Sequence, residues 1–139
     1  MSFATIRSSP LSQMINRTNF KRRILVVDDE PLVLQTLTLL LRVDGHSVVP
    51  AASGSEALLL FQPGEFDLVF TDYVMPLMNG DKLAAEIKRR APTQPVIAIT
   101  AYTEELRRVP VPWFDCHIGK PFELKQLRDL IQQYSPTPG

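Results

Sequence analysis

Four places in this 139-residue chain set a chemically capable side chain at the end of an apolar run. Asp28 and Asp29 follow Ile24-Leu25-Val26-Val27, Asp72 follows the run Phe66 to Thr71, Thr100 ends the run from Pro95, and Lys120 comes soon after Phe114 to Ile118. If the first and third runs are neighbours, three carboxylates share one pocket. Like charges that close raise one another's pKa or recruit a cation. A hard divalent ion with oxygen ligands, Mg2+ first, is the natural partner. A carboxylate beside it can then attack phosphorus, because metal and lysine stabilise charge on the transferring phosphoryl oxygens. Thr100 offers a hydrogen bond to one of those oxygens. A plainer reading is helix capping, which Asp29 or Glu30, just before Pro31, would satisfy. Capping does not account for Asp72, Thr100 and Lys120 together.

These residues need elements to hold them in register. The unbroken run Ile24 to Val27 reads as a strand buried on both faces. Pro31 suits the first turn of a helix and Gly45 its stop, with Val33, Leu34, Leu37, Leu40 and Leu41 on one face. Ser47 to Ala51 is a second strand. Ser53 and Glu56 have capping-box spacing and open a helix through Phe61, ended by Pro63-Gly64. Phe66 to Thr71 is the third strand and Gly80 to Arg90 the next helix, with Leu83 and Ile87 inward and Lys88, Arg89 and Arg90 at its C-terminal dipole. Pro95 to Thr100 is the fourth strand, followed by a weak helical stretch over Thr103 to Val109. Phe114 to Ile118 is the fifth strand, and Phe122 to Tyr134 a closing helix. This alternation predicts an α/β, doubly wound, five-stranded parallel sheet with helices on both faces, whose site lies at the carboxyl ends of the strands.

Composition limits the alternatives. With 45% hydrophobic and 22% charged residues, the chain matches one globular domain able to bury a core without disulfides. The 15 acidic and 15 basic residues cancel, so no net charge draws it to nucleic acid or to a membrane surface. The cancellation hides an asymmetry: no acid precedes Asp28, whereas Arg7, Arg17, Lys21, Arg22 and Arg23 do, so the body is net acidic. The single cysteine, Cys116, suits a reducing compartment and a cytoplasmic location. No apolar run is long enough to span a membrane. Residues 1–20 show neither period and read as a flexible N-terminal tail, 21–135 as the folded domain, and 136–139 as a C-terminal tail.

Val26-Val27-Asp28-Asp29-Glu30, Thr71-Asp72-Tyr73-Val74-Met75-Pro76-Leu77-Met78-Asn79-Gly80, Ile99-Thr100-Ala101 and Lys120-Pro121-Phe122 occur in that order, each at a strand end. Over about Arg22 to Tyr134 they resemble the receiver domains of two-component response regulators, of the chemotaxis-regulator kind. The resemblance implies a flavodoxin-like sheet of order 2-1-3-4-5. It implies that Asp72 accepts a phosphoryl group from a phosphohistidine in a Mg2+-dependent reaction. Asp29 and Asp72 would be direct metal ligands, Asp28 a ligand through water, and the Val74 backbone carbonyl a further one. Lys120 would pair with the phosphoryl group, Thr100 would move to meet it, and small Ala101 would leave room. The Lys120-Pro121 bond is expected to be cis. The implied partners are a histidine kinase or histidine phosphotransfer protein and an unknown downstream protein; a homodimer is left open. Such a protein is a signalling switch that catalyses its own phosphorylation and slow dephosphorylation. Because the chain stops near the end of its last helix, a stand-alone receiver is expected.

Two features depart from the family's pattern. Three residues before the lysine, where Tyr or Phe is usual, stands His117; either the imidazole performs the switch or the coupling is altered, with Tyr102 as another aromatic. Pro110 and Pro112 forbid a full helix before the fifth strand, so the fourth helix is expected to be short or irregular. Trp113 reads as a packed aromatic, Met75 and Met78 as packing or turn-shaping residues. Leu32 and Leu39, opposite the core face, read as an exposed stripe able to dock a histidine-bearing helix. Two rivals stand: a receiver-like binding module independent of phosphorylation, and an aspartyl-phosphate phosphatase. The second lacks the acid expected two residues after Asp72, where Val74 stands.

Overall fold

A parallel strand covered by helices on both sides must be apolar at every position. Ile24, Leu25, Val26 and Val27 meet that requirement: each is at most 1% exposed. The computed structural model describes residues 21–101 and 113–134. The expected tails, Tyr102 and the expected irregular helix lie outside the described residues. In chain order the elements are β1 (Arg23–Val27), α1 (Pro31–Val43), β2 (Ser47–Ala51), α2 (Gly54–Leu60), β3 (Leu68–Asp72), α3 (Gly80–Arg90), β4 (Val96–Thr100), β5 (Cys116–Gly119) and α4 (Leu124–Gln133). The strands form one parallel sheet in the order β2-β1-β3-β4-β5, as expected.

Alternate residues of the central strands feed two cores. Ile24, Val26, Phe70, Ile97 and Ile99 pack with Leu37 and Leu41 of α1 and Leu127 and Ile131 of α4. Leu25, Val27, Val69 and Val96 pack with Ala57 of α2 and Leu83, Ala84 and Ile87 of α3. Full burial of each large side chain contributes about 1.5–3 kcal/mol. Pro50, which cannot donate to a ladder, is tolerated because β2 is an edge strand.

The termini of the helices show how local sequence sets the loops. After α1 the His46 N–H donates to Leu41 O at 3.1 Å and the Gly45 N–H to Arg42 O at 2.9 Å. This Schellman closure needs the positive φ of 94° that Gly45 supplies. Ser53 caps α2, its Oγ accepting the Glu56 N–H at 3.1 Å. In α1, Leu40 is only half-buried, while Thr38 is buried in its place.

Several boundaries shift from expectation. β3 begins at Leu68, because Phe66 is turned onto the ring of Phe61 and Asp67 directs its carboxylate to the Arg23 N–H at 2.8 Å. β3 also includes Asp72, which pairs with Ile99. β5 begins at Cys116 because Asp115 Oδ2 accepts the Val96 N–H at 2.7 Å, ending the extended approach. α4 begins at Leu124, since Glu123 and Gln126 form a capping box there.

Candidate functional site

The strand order reverses between β1 and β3, so the chain leaving β1 turns to α1 on one face and the chain leaving β3 turns toward α3 on the other. That divergence opens a crevice at the carboxyl ends of the strands. Asp28 and Asp29 enter it from β1, Asp72 from β3, Thr100 from β4, and Lys120 just beyond β5.

Asp28 is 3% exposed. Its Oδ1 accepts the Glu30 N–H at 2.9 Å and its Oδ2 the Lys120 ammonium at 2.9 Å. Asp29 is half-buried. Glu30, the residue before α1, makes no side-chain capping bond, so the capping explanation fails for it. Asp72 is buried, with Oδ2 at 3.3 Å from Lys120 Nζ. One carboxylate oxygen from each of Asp28, Asp29 and Asp72 lies within 4.8 Å of the other two.

The lysine is placed from two directions. Its own N–H donates to Thr100 O at 2.9 Å, continuing the β4·β5 ladder past Gly119. The Lys120-Pro121 peptide is cis, as the resemblance implied. Thr100 is fully buried at the end of β4. Thr100 pairs with Gly119 and Ala98 with His117, so His117 and Thr100 share a sheet face, offset by two residues along the ladder. His117 is exposed there.

The loop from Asp72 to Gly80 is tightly held. Asn79 Oδ1 accepts the Met75 N–H at 3.2 Å, and the Gly80 N–H donates to Tyr73 O at 2.7 Å. Met75 is buried in the core between sheet, α2 and α3, and Met78 packs against that core. Leu77 adopts φ 68°, a region most side chains avoid, and is fully exposed. Val74 is 46% exposed. Two requirements of this loop escaped sequence reasoning: Leu77's backbone and Gly80, whose Cβ would fall 2.2 Å from Asp72 O. The signal for the second was a glycine opening a helix, which costs helix stability unless close approach demands it.

Burial raises the pKa of Asp72; the charge of Lys120 opposes that and the charge of Asp28 adds to it. For Lys120, burial works against the charged form, but hydrogen bonds and charges from Asp28 and Asp72 prevail and raise its pKa. The pocket thus holds more negative charge than its one ammonium neutralises. Oxygen-only donors suit Mg2+, and the carboxylates of Asp28, Asp29 and Asp72 lie close enough together to share one ion.

The family model described as response regulator receiver domain matches residues 24–132. The chain belongs to that family. Among relatives, the transcriptional regulatory protein GlrR of Escherichia coli is 44% identical over 79 residues, covering 57% of this receiver and 18% of GlrR. The probable transcriptional regulator ycf27 of Pyropia yezoensis is 34% identical over 116 residues, covering 82% of this receiver and 47% of ycf27. The receiver therefore spans less than half the length of either relative. Among solved structures, response regulator TrrA of Thermotoga maritima, in complex with Mg2+ and BeF, is 34% identical with a TM-score of 0.75, covering 81% of this chain and 98% of that one. Receiver domains bind Mg2+ in an acidic pocket and act as signalling phosphoacceptors rather than conventional enzymes. Among the described residues, no helix is long and apolar enough to cross a membrane.

Proposed function

We propose that Asp72 is the phosphoacceptor of a stand-alone signalling receiver, charged by a histidine kinase or a histidine phosphotransfer protein. The observation that carries this reading is the convergence of three carboxylates within 4.8 Å, with Lys120 bridging Asp28 at 2.9 Å and Asp72 at 3.3 Å. An Asp72 carboxylate oxygen attacks the phosphorus of the donor phosphoimidazole. The new O–P bond forms as the P–N bond breaks, and the imidazole nitrogen keeps the electron pair.

Asp29 and Asp72 would hold Mg2+ directly, with the Val74 carbonyl, and Asp28 through water. Bound there, the ion supplies positive charge to the phosphoryl oxygens. Lys120, released from Asp28, pairs with the phosphoryl group, and the Thr100 hydroxyl donates to it. Ala101 leaves that side of the pocket open. Hydrolysis by water resets the switch.

In this reading the domain runs over residues 21–135, and output goes through the receiver's own surfaces, by protein contact or onward phosphotransfer. On α1, Leu32, Leu39 and Val43 are 78%, 63% and 73% exposed and lie on a common side, which supports docking of a histidine-bearing helix there.

Incubation with Mg2+ and acetyl phosphate, followed by a phosphate-affinity gel, tests the assignment. A retarded band for wild type that disappears in Asp72→Asn is expected. An equal band in Asp72→Asn, or none in wild type, contradicts it.

A further inference from the structure

We propose that the recess between α2, α3 and Trp113 docks an acidic, apolar peptide segment of a partner protein. It has a volume of about 610 Å³, and its apolar lining comes from Leu58 of α2, Met78 of the loop after β3, Ala85 of α3, and Trp113. Such a volume falls within the range of about 300–1,000 Å³ usual for ligand sites. Ala85, half-buried on α3, presents only a methyl group to the recess. Trp113 is 42% exposed, which corrects its reading as a packed aromatic.

The polar lining selects the occupant. Lys82, Lys88 and Arg89 supply three cations against the single carboxylate of Glu86. Glu86 is already engaged, accepting from Arg89 Nε at 3.1 Å and Arg90 Nε at 3.3 Å. Lys88 is engaged as well, donating to Gln94 O at 2.6 Å and to Asp115 Oδ2 at 2.7 Å. The Lys82 ammonium has no ion pair or hydrogen bond among the described residues, and it borders the apolar floor. The complement is therefore a carboxylate for Lys82 beside a leucine- or phenylalanine-sized group for Trp113, Met78 and Leu58. Nucleic acid fits less well, because Trp113 is the one aromatic side chain in the lining and a carboxylate stands in the wall.

Trp113 is the sole tryptophan of the chain, so its emission reports occupancy directly. The probe is the capped tetrapeptide acetyl-Glu-Leu-Phe-Asp-amide, titrated into the full chain. Its uncharged isostere acetyl-Gln-Leu-Phe-Asn-amide and an oligothymidylate are titrated in parallel. A saturable emission change with the acidic peptide is expected, at least about threefold tighter than with the isostere, the size of one partly exposed ion pair. Lys82→Gln should weaken the acidic peptide about threefold and leave the isostere unchanged. Ala85→Phe, which fills the recess, should remove the response to both peptides. No saturable change, equal affinity for both peptides, an unaffected Lys82→Gln protein, or tighter binding of oligothymidylate overturns the proposal. Lys82 is a solvent-facing position, so that variant folds and the comparison stands even if Ala85→Phe does not.

Discussion

The ammonium of Lys120 lies 2.9 Å from the carboxylate of Asp28, closer than the 3.3 Å that separates it from Asp72. The lysine is thus held more closely by Asp28, and its charge offsets part of the field that would otherwise attract a metal ion. Lys120→Met removes that competing charge. Mg2+ affinity should rise roughly three- to tenfold, a heavily screened fraction of one like-charge contact. Acceptance from acetyl phosphate should meanwhile fall about 100-fold, because the phosphoryl group loses its cation. Calorimetric titration with Mg2+ and a phosphorylation time course check the two opposite changes. Weaker Mg2+ binding in the variant would refute the competition.

Gly80 opens α3 directly beneath the backbone carbonyl of Asp72. A Cβ there would sit 2.2 Å from Asp72 O and 3.0 Å from Tyr73 Cα, both backbone atoms that cannot rotate away. Gly80→Ala should cost about 2 kcal/mol or more, as overpacking against a rigid partner does. Urea unfolding measures this directly, and a cost under about 0.5 kcal/mol would mean that the helix start moves freely.

Leu39, 63% exposed in the middle of α1, separates docking from chemistry. Leu39→Asp should slow phosphorylation by a phosphohistidine protein at least about tenfold, since central apolar contacts dominate helix-in-groove binding. It should leave phosphorylation by acetyl phosphate unchanged. Equal slowing with both donors would place the effect on the site and not on the docking face.

Much of this arrangement was legible in the residues. The bounds of β2 and α3 follow from Ser47 to Ala51 and Gly80 to Arg90 without adjustment, because each is closed by strong local signals. The site residues stand at strand ends, where a doubly wound sheet needs polar groups only if they have work in the crevice. What was not legible is long-range. That Asp115 turns back to the Val96 N–H, or that Arg128 reaches Asp44 through two 2.8 Å bonds, depends on contacts 19 and 84 residues apart. The left-handed backbone of Leu77 was hidden for the opposite reason: the residue type argues against the conformation it adopts. Glu123 and Gln126 were a readable capping signal that the longer apolar period of Phe122 to Tyr134 concealed.

His46 gives the fold a pH dependence of definite sign. Its Nδ1 accepts the Arg22 N–H at 3.1 Å, which requires an unprotonated nitrogen. Burial holds its pKa below the ordinary value, the charge of Asp44 opposes the shift, and the charge of Arg22 adds to it. The unfolded chain therefore binds the proton more readily. The stabilisation is complete above the unfolded pKa of about 6.5 and is lost as pH falls through that value toward the folded one. The urea midpoint of wild type should drop between about pH 7.5 and 5.5 more steeply than that of His46→Gln. Parallel pH profiles would show that His46 is not the titrating group.

A phosphoryl group carried on Asp72 would leave a distinct chemical trace. An acyl phosphate is reduced by borohydride to an alcohol, which converts the modified aspartate to homoserine and leaves free carboxylates untouched. The protein is charged with acetyl phosphate and Mg2+, quenched with borohydride, digested and sequenced by mass spectrometry. Homoserine at position 72 alone, absent when Mg2+ is withheld, is the predicted result. Homoserine at position 28 or 29, or at no position despite a retarded gel band, would contradict the assignment.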